Sequence, residues 1–321
     1  MALLTAIPVR HLTASDLGIP LEVSGNDERT PSIPGMSIDE AAERDAVYSA
    51  VKNALADGFG GVVLVGPPGT GKSLYAQRIG TTLAGDAHRV RFTQFHPSYQ
   101  YEDFIEGWTP NKAGGFEKED KHFLIACTRA TADPDHTYVI IIDELSRCDA
   151  ARVFGEALTY LEMSKRGQPF HLPSGREMVV PRNLFIIATM NPWDRGVDEV
   201  DTALLRRFAQ ILMPPNITSL EEILTTNGIE PNVIAAVAGF MQVILGMADD
   251  RLHIGHAYFA NIRSNEALLR LWDFQLKPLF KQVTRSDTEA FKRVEGHWNR
   301  LVVEELARPV EPPPDTDAGT A

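Results

Sequence analysis

The chain has 321 residues, of which 44% are hydrophobic and 23% charged, and its 31 Lys and Arg stand against 43 Asp and Glu for a net charge of −12. This length suits one large domain or two smaller ones with a sizeable hydrophobic core. Because proteins that grip nucleic acid with their own surface usually present a basic face, the charge disfavours DNA binding by this chain alone. A central pore that holds nucleic acid or polypeptide is not excluded.

The cysteines and apolar runs favour a protein without disulfides or membrane spans. Cys127 and Cys148 form no CxxC pair, so we expect two buried reduced thiols and no cysteine zinc site. The longest near-apolar run, residues 233–248, is interrupted by Gln242 and is short for a membrane span. Residues 1–10 lack the basic start and apolar stretch of a signal peptide. We therefore predict no membrane association and a cytoplasmic location.

The first half of the chain alternates between strand and helix patterns. Residues 1–36 contain four prolines and no persistent period, which indicates an irregular arm. A capping box, Ser37 with Glu40, begins a predicted helix over residues 37–56. The following pattern predicts strands at 61–65, 90–95, 138–142, 184–189 and 208–213 and helices at 72–83 and 150–164. This alternation indicates a doubly wound parallel sheet.

From residue 218 the pattern is helical throughout. The predicted helices are 218–227, 231–248, 263–284 and 287–307. We therefore expect a large α/β subdomain over 37–215, an all-helical lid subdomain over 216–308 and a disordered tail over 309–321. Before the last predicted strand, residues 166–181 are expected to form a hairpin with its turn at Ser174-Gly175.

A phosphate-binding motif lies between the first predicted strand and its helix. The sequence fits G-x-x-x-x-G-K-[ST] at Gly66, Pro67, Pro68, Gly69, Thr70, Gly71, Lys72 and Ser73, and Leu74 completes the predicted nucleotide-binding set. Glycines let successive backbone N–H groups point at phosphate oxygens, and the helix N-terminus adds partial positive charge. We expect Lys72 to reach the β- and γ-phosphates and Ser73 to offer its hydroxyl to Mg²⁺.

Two acidic residues follow the buried strand at 138–142. Carboxylates at the carboxyl end of such a strand lie where α/β folds bind ligands. We expect Asp143 to hold Mg²⁺ and Glu144 to orient and deprotonate the attacking water. Asn191, at the tip of the predicted 184–189 strand, suits contact with the γ-phosphate, although asparagine before proline is also common in turns.

Two arginines precede the last predicted strand. Arg206 and Arg207 have a functional interpretation only in an oligomer, where one of them enters the neighbouring subunit's site as an arginine finger. Otherwise they are surface residues. In the helical part, His253 and His256 suggest a metal pair, but no third ligand has suitable spacing, which favours lid packing or helix capping.

Four segments resemble the McrB family of AAA+ ATPases, in the dynein-related branch, over about residues 40–285. They are 95–107 (FHPSYQYEDFIEG, against FHxSYxYEDFIxG), 142–147 with 153–156 (IDELSR and VFGE, against IDEINR and VFGE), 190–195 with 205–208 (MNPWDR and LRRF, against MNxxDR and LRRRF) and 254–259 (IGHAYF, against LGHSYF). The resemblance implies that Asp194 and Arg195 help to position water or a neighbouring subunit's loop, and the alternative is a surface salt bridge that contributes little. It also implies that the 166–181 hairpin faces a ring axis or a partner, and the alternative is an exposed hairpin without a function.

The resemblance implies an Mg²⁺-dependent nucleoside triphosphatase that uses ATP, or alternatively GTP, as the ring motor of a restriction assembly. Such a motor forms a homo-oligomer, expected to be a hexamer, and drives a McrC-like nuclease that meets DNA indirectly or through the pore. Residues 1–40 are too few for a DNA-reading domain. Two alternatives stay open: a MoxR-like remodelling ATPase, favoured by Asn191-Pro192, and a nucleotide-gated scaffold with little turnover.

Overall fold

The computed structural model describes residues 46–112, 114–192 and 202–308. Its central element is a five-stranded sheet in the order β2-β5-β8-β1-β9, in which every neighbouring pair is parallel. The strands are β1 (Gly61–Val65), β2 (Val90–Gln94), β5 (Tyr138–Asp143), β8 (Leu184–Met190) and β9 (Ala209–Leu212). The apolar runs of β1, β5 and β8 are buried almost throughout, which confirms all three as strands and the latter two as buried ones.

The strand register brings the carboxyl ends of the inner strands to one edge of the sheet. Val65, the last residue of β1, pairs with both Met190 and Leu212, and Asp143 ends β5 opposite Gln94. The loops that follow β1, β5 and β8 therefore leave the sheet side by side. This edge is where the sequence predicted the phosphate motif, the paired acids and Asn191 to meet.

Helices cover both faces of the sheet, which confirms the doubly wound architecture. They are α1 (Ala46–Ala56), α2 (Lys72–Ala84), α3 (Tyr101–Phe104), α4 (His122–Ala132), α5 (Ala150–Phe154), α6 (Ala157–Tyr160) and α7 (Thr202–Leu205). Side chains alternate along β1, so Val62 and Leu64 pack with α1 and α2, while Val63 and Val65 pack with the aromatic core on the opposite face.

The prediction of one continuous helix over 150–164 is wrong. The helix ends at Phe154, because Gly155 takes a left-handed φ of +52°, and α6 is a separate short turn. A side chain at Gly155 would meet the ring of Tyr101. Gly155 therefore allows α3 to pack closely against this segment, and it ends the helix instead of continuing it.

Two antiparallel hairpins project from the α/β part. The first joins β3 (Glu106–Pro110) to β4 (Phe116–Asp120) and was not predicted. The second joins β6 (Pro169–His171) to β7 (Glu177–Val179), in agreement with the prediction, and Gly175 provides the positive φ of its turn. Arg176 of the second hairpin forms an ion pair with Asp120 of the first.

The helices after residue 216 have a hydrophobic core of their own. They are α8 (Ile217–Thr226), α9 (Pro231–Leu245), α10 (Asn265–Leu271), α11 (Lys277–Val283), α12 (Thr288–Trp298) and α13 (Glu304–Leu306). The segments Trp272–Leu276 and Asn299–Val303 are π-helical, so the last two predicted helices are each continuous through a π turn. The limits of the two subdomains stay a prediction.

Several predictions concern chain segments that the structure does not describe. The arm at 1–36, the capping box at Ser37 and the tail at 309–321 all lie outside the described residues. Within the described part, Cys127 and Cys148 are buried free thiols, as predicted. Among the helices that the structure describes, none combines the length and the apolar character needed to cross a membrane.

Candidate functional site: a phosphate loop facing paired carboxylates

The loop between β1 and α2, residues 66–71, is referred to here as the phosphate loop. Gly69 and Gly71 have φ values of +79° and +82°, which side chains other than glycine rarely adopt. At Gly66 an added Cβ would overlap the carbonyl of Met213. No side chain caps the start of α2, so the helix presents its first-turn N–H groups to this loop. This arrangement suits the binding of an anion.

The Lys72 ammonium lies over the phosphate loop. Its Nζ donates hydrogen bonds to the carbonyl oxygens of Gly66, at 2.9 Å, and Pro67, at 2.8 Å. Thr70 closes the loop from within, since its hydroxyl donates to the Pro67 carbonyl at 3.1 Å. The positive charge is therefore held beside the N–H groups that would contact a phosphate.

Ser73 and Asp143 meet across the edge of the sheet. The Ser73 hydroxyl donates to Asp143 Oδ1 at 2.7 Å, and Asp143 is only 8% exposed. Hydroxyl and carboxylate oxygens are the ligands that Mg²⁺ prefers. The described residues contain no group of three or more His, Cys, Asp or Glu that could hold a metal ion by themselves. The pair therefore fits a Mg²⁺ ion, whose remaining ligands would have to come from water and phosphate.

Thr189 joins the same cluster, although its role was not predicted from the sequence. Its hydroxyl donates to Asp143 Oδ1 at 2.6 Å and accepts the backbone N–H of Glu144 at 3.1 Å. Thr189 is 2% exposed, near the end of β8. One hydroxyl thus fixes both the carboxylate of Asp143 and the backbone of Glu144. The only sign of this role in the sequence is that Thr189 is the one polar residue in the otherwise apolar run of β8.

Glu144 has a strained backbone at the end of β5. Its φ of +58° is the only positive φ of a non-glycine residue in the described part of the chain. Such a conformation costs about 1–2 kcal/mol and persists only where its surroundings enforce it, as the bond to Thr189 does here. The Glu144 carboxylate accepts a hydrogen bond from Arg147 Nε at 3.4 Å and is about one-third exposed. The carboxylate is therefore partly accessible to water at the end of β5.

Asn191 leaves the sheet next to the phosphate loop. It follows Met190, whose carbonyl accepts the N–H of Gly66 at 3.2 Å, and it is half-buried. The structure therefore brings this predicted residue to the same edge as Asp143. Asp194 and Arg195 lie outside the described residues.

Arg206 and Arg207 lie near the amino ends of the parallel strands, at the end of the sheet opposite the phosphate loop. They precede β9, whose first residue pairs with Val62 near the start of β1, whereas the phosphate loop follows the end of β1. A strand as long as β1 spans about 15 Å. The two arginines line a cavity of about 500 Å³ with residues 57–60, Glu162 and Met163. Within one chain the two arginines are thus remote from the phosphate loop.

The segment 254–259 of the helical part packs directly on the phosphate loop. The N–H groups of Gly255 and Ala257 donate to the carbonyls of Pro68 and Gly69, both at 2.8 Å. A side chain at Gly255 would overlap the backbone of Gly69, and the ring of Tyr258 covers the other side of that glycine. The helical part and the phosphate loop are therefore joined by backbone hydrogen bonds and close packing.

A second cavity, of about 340 Å³, adjoins the phosphate loop. Its lining includes Thr70, Tyr75, residues 212–219 and His256. The size and mostly apolar lining suit a flat heteroaromatic base. His256 Nδ1 accepts the N–H of Asn216 at 3.4 Å, and burial lowers the pKa of His256, which keeps the ring neutral. His256 therefore belongs to this cavity rather than to a metal pair with His253.

Comparison with known proteins agrees with this geometry. Residues 61–208 match the family "AAA domain (dynein-related subfamily)". The Escherichia coli K12 protein "Type IV methyl-directed restriction enzyme EcoKMcrB subunit" is 36% identical over 218 residues, which are 62% of this chain and 47% of that protein. The Bacillus subtilis 168 protein "Type II restriction enzyme BsuMI component YdiS" is 30% identical over 189 residues, 46% of this chain and 55% of that protein. The chain thus spans about half the length of these relatives.

Proposed function

We propose that this chain, which is a McrB-like AAA+ protein, hydrolyses nucleoside triphosphates at the edge of the sheet between the phosphate loop and Asp143. The observation that carries the proposal is the cluster of Ser73, Asp143 and Thr189, in which hydrogen bonds of 2.6–2.7 Å hold a buried carboxylate against the first turn of α2. A purely structural loop has no need for this arrangement of oxygens at an anion-binding helix terminus.

Each residue of the site has a role in the proposed reaction. Residues 66–74 form the cradle in which the N–H groups of residues 69–74 and the Lys72 ammonium bind the phosphates, and Asn191 contacts the γ-phosphate. Ser73 and Asp143 hold Mg²⁺, which when bound would neutralise charge on the phosphate oxygens. Glu144 orients water and accepts its proton. Asp194 and Arg195 help to position that water.

We further propose that Glu144 exchanges partners during the cycle. Its carboxylate accepts a long hydrogen bond from Arg147 Nε, at 3.4 Å, on a partly exposed surface where ion pairs contribute little stability. Release from Arg147 is therefore inexpensive and would free the carboxylate to accept a proton from water. The base bound in the neighbouring cavity is proposed to be adenine, with guanine as the alternative.

The position of the arginine pair supports assembly into a ring. Arg206 and Arg207 lie at the end of the sheet opposite their own phosphate loop. An arginine finger at this phosphate loop therefore has to come from another copy of the chain. We propose a homo-oligomer, of hexameric form, in which Arg207, or alternatively Arg206, reaches the γ-phosphate bound by its neighbour. The finger stabilises charge on the transferring phosphoryl group.

Both curated relatives are named as parts of restriction enzymes, and this favours a restriction assembly over a MoxR-like remodelling role. We propose that hydrolysis drives a McrC-like nuclease partner, which meets DNA directly while this chain meets it only through the pore. The acidic composition, with a net charge of −12, agrees with that division of labour.

The experiment that tests the proposal is steady-state phosphate release from ATP and GTP, with Mg²⁺ or with EDTA. We expect turnover only with Mg²⁺, and a loss of about 100-fold or more in Lys72→Ala. Lys52→Ala, which alters an exposed lysine on α1, is the matched control and should keep wild-type turnover. Turnover that persists in Lys72→Ala would overturn the assignment of the site. Nucleotide binding without any turnover would favour the nucleotide-gated scaffold.

A further inference from the structure

His256 lies in the wall of the cavity of about 340 Å³ that adjoins the phosphate loop. Its two neighbours in the chain attach it to that loop. The N–H groups of Gly255 and Ala257 donate to the carbonyls of Pro68 and Gly69, both at 2.8 Å. The backbone of His256 is therefore held at a fixed place beside the loop proposed to bind the phosphates, and its side chain is held in the cavity proposed to bind the base.

The hydrogen bond of His256 determines which ring nitrogen carries the proton. Nδ1 accepts the backbone N–H of Asn216 at 3.4 Å, so this nitrogen is unprotonated. Burial lowers the pKa of His256, so the ring is neutral at neutral pH and its one proton lies on Nε2. Among the described residues, Nε2 has no hydrogen-bond acceptor. The imidazole thus retains one N–H donor for a ligand.

The backbone of residues 213–216, which forms one wall of the cavity, offers a ligand no free N–H group. The N–H of Met213 donates to the carbonyl of Val65 at 2.7 Å. The next two residues are prolines, which have no N–H, and the N–H of Asn216 is bound to His256. A hydrogen bond from this wall to an acceptor on a bound base therefore depends on the imidazole of His256.

We propose that the Nε2–H group of His256 donates a hydrogen bond to N7 of a purine bound in this cavity. The inference rests on the proposed nucleotide site and names the residue that reads its base. Adenine and guanine both carry an acceptor at N7, and pyrimidines have no equivalent atom. In an anti nucleotide N7 lies on the side of the base that faces the 5′-phosphates, and His256 lies beside the loop that binds those phosphates. The contact therefore selects purine over pyrimidine nucleotides.

The alternative is a purely structural role for His256. Asn216 is the N-cap of α8, and the bond from its N–H to the imidazole attaches the start of that helix to the segment 254–259. If this were the whole role, loss of the imidazole would weaken the binding of every nucleotide to the same extent. A hydrogen bond to N7 requires instead that the loss be confined to nucleotides that carry N7. The two roles are thus separated by a change of one atom in the ligand.

The test is calorimetric titration of the full chain with ADP and with 7-deaza-ADP, in which a C–H group replaces N7. Diphosphates are used because their binding is measured without hydrolysis. We expect the wild type to bind ADP about fivefold or more tightly than 7-deaza-ADP. His256→Phe keeps a planar ring without an N–H donor, and it should bind the two ligands within about twofold of each other. His253→Phe is the matched control, because His253 is also half-buried but bonds to the carbonyl of Met247, and it should keep the wild-type preference.

Three results would overturn the role of His256 and leave the nucleotide site in place. They are equal affinity of the wild type for the two ligands, an unchanged preference for ADP in His256→Phe, and an equal loss of that preference in His253→Phe. Failure of the wild type to bind ADP at all would instead overturn the proposed nucleotide site itself. The comparison of the two ligands in the wild type needs no variant, so the test holds even where circular dichroism shows that a variant does not fold.

Discussion

Asp143 accepts two hydrogen bonds on the same carboxylate oxygen, from Ser73 at 2.7 Å and from Thr189 at 2.6 Å. These bonds fix the side-chain rotamer of a residue proposed to hold Mg²⁺. Thr189 also accepts the N–H of Glu144 at 3.1 Å, so it supports the proposed metal ligand and the proposed base together. Outer partners of this kind commonly affect metal affinity or activity by 10- to 100-fold. Thr189 is therefore a positioning residue rather than a catalytic one.

Substitution of Thr189 tests this role. Thr189→Val removes the hydroxyl at nearly constant volume, and we expect phosphate release to fall by about tenfold or more and the Mg²⁺ requirement to rise. Thr189→Ser should restore most of the activity. Thr93→Val is the matched control, because Thr93 is also buried in a strand but bonds to Tyr99. Equal losses in the valine variants of Thr93 and Thr189 would indicate a general effect on the sheet.

The sequence predicted the residues of this site that belong to a spaced motif. Lys72, Ser73 and Asp143 were predicted because a phosphate loop and an acid-ended strand impose fixed residue types. Thr189 was missed because threonine is common in strands, and its type does not reveal a hydroxyl aimed at a neighbouring strand. The φ of +58° at Glu144 was likewise invisible, since the residue itself disfavours that conformation.

At the scale of elements, α4 is attached to the edge strand β2 through a histidine. Arg91 Nε donates to His122 Nδ1 at 3.1 Å, which requires that nitrogen to be unprotonated. Burial, together with the positive charges of Arg91 and Lys121, lowers the pKa of His122 from 6.5 to about 4. A folded-state pKa below the unfolded value means that the unfolded chain binds the proton first. The resulting stability is present above pH 6.5 and is lost as the pH falls toward about 4.

Urea unfolding at pH 7.5 and pH 5 checks this contribution. We expect the free energy of unfolding of the wild type to fall between these pH values by more than that of His122→Gln, which keeps a hydrogen-bond acceptor but cannot titrate. The difference between the two proteins isolates His122 from the other groups that titrate. Identical declines in the two proteins would show that His122 contributes nothing to the pH dependence.

Arg166 joins the second hairpin to the sheet. Its buried guanidinium donates to the carbonyls of Leu161, Pro181, Leu184 and Gly60, at 2.6–3.1 Å. Desolvation lowers the pKa of Arg166 to about 10, so the side chain stays charged at neutral pH. Four backbone acceptors replace the water that the guanidinium loses on burial. The start of β1, the start of β8 and the β6–β7 hairpin are thereby held together.

Replacement of this arginine should be strongly destabilising. Arg166→Met leaves four buried carbonyls without their donors, and we expect the free energy of unfolding to fall by about 3–5 kcal/mol. Arg176→Met is the matched control, since Arg176 forms a surface pair with Asp120 and should cost about 1 kcal/mol or less. Urea denaturation of both variants measures the difference. Comparable losses in the two would contradict the structural role of Arg166.

Element prediction succeeded where apolar residues follow a regular period and failed elsewhere. The inner strands and the helices after residue 216 were predicted to within a few residues because their side chains are buried in continuous runs or at helical spacing. No element was predicted between residues 96 and 137, where the structure has α3, α4 and the first hairpin. The exposed strand β4 is almost entirely polar, so no pattern of burial marks it.

At the scale of the whole molecule, the proposed ring follows from the position of Arg207. The phosphate loop and Arg207 lie at opposite ends of the parallel strands of one sheet. A site that uses both therefore needs two copies of the chain. The chain spans about half the length of its curated relatives, and the match over 61–208 concerns the nucleotide domain. The identity of the nuclease partner and the route of DNA are therefore proposals about an assembly larger than this chain.

A mixture of two inactive variants tests whether sites are shared between copies. We expect Arg207→Ala to reduce phosphate release by about 100-fold or more, because an arginine finger supplies at least that much. Mixing it with Lys72→Ala should restore part of the activity, since some interfaces then combine an intact phosphate loop with an intact Arg207. Failure to recover activity in mixed oligomers would argue that Arg207 acts within its own chain or only stabilises the fold.

The most direct measurement of the central claim compares phosphate release and nucleotide binding in Glu144→Gln. We predict that the variant binds ATP within about twofold of the wild type and loses turnover by about 100-fold or more, because glutamine preserves the shape of the side chain but cannot accept a proton. Wild-type phosphate release from Glu144→Gln would contradict the account. It would show that the carboxylate at the end of β5 is not the base, and that hydrolysis does not occur where the structure assembles its oxygens.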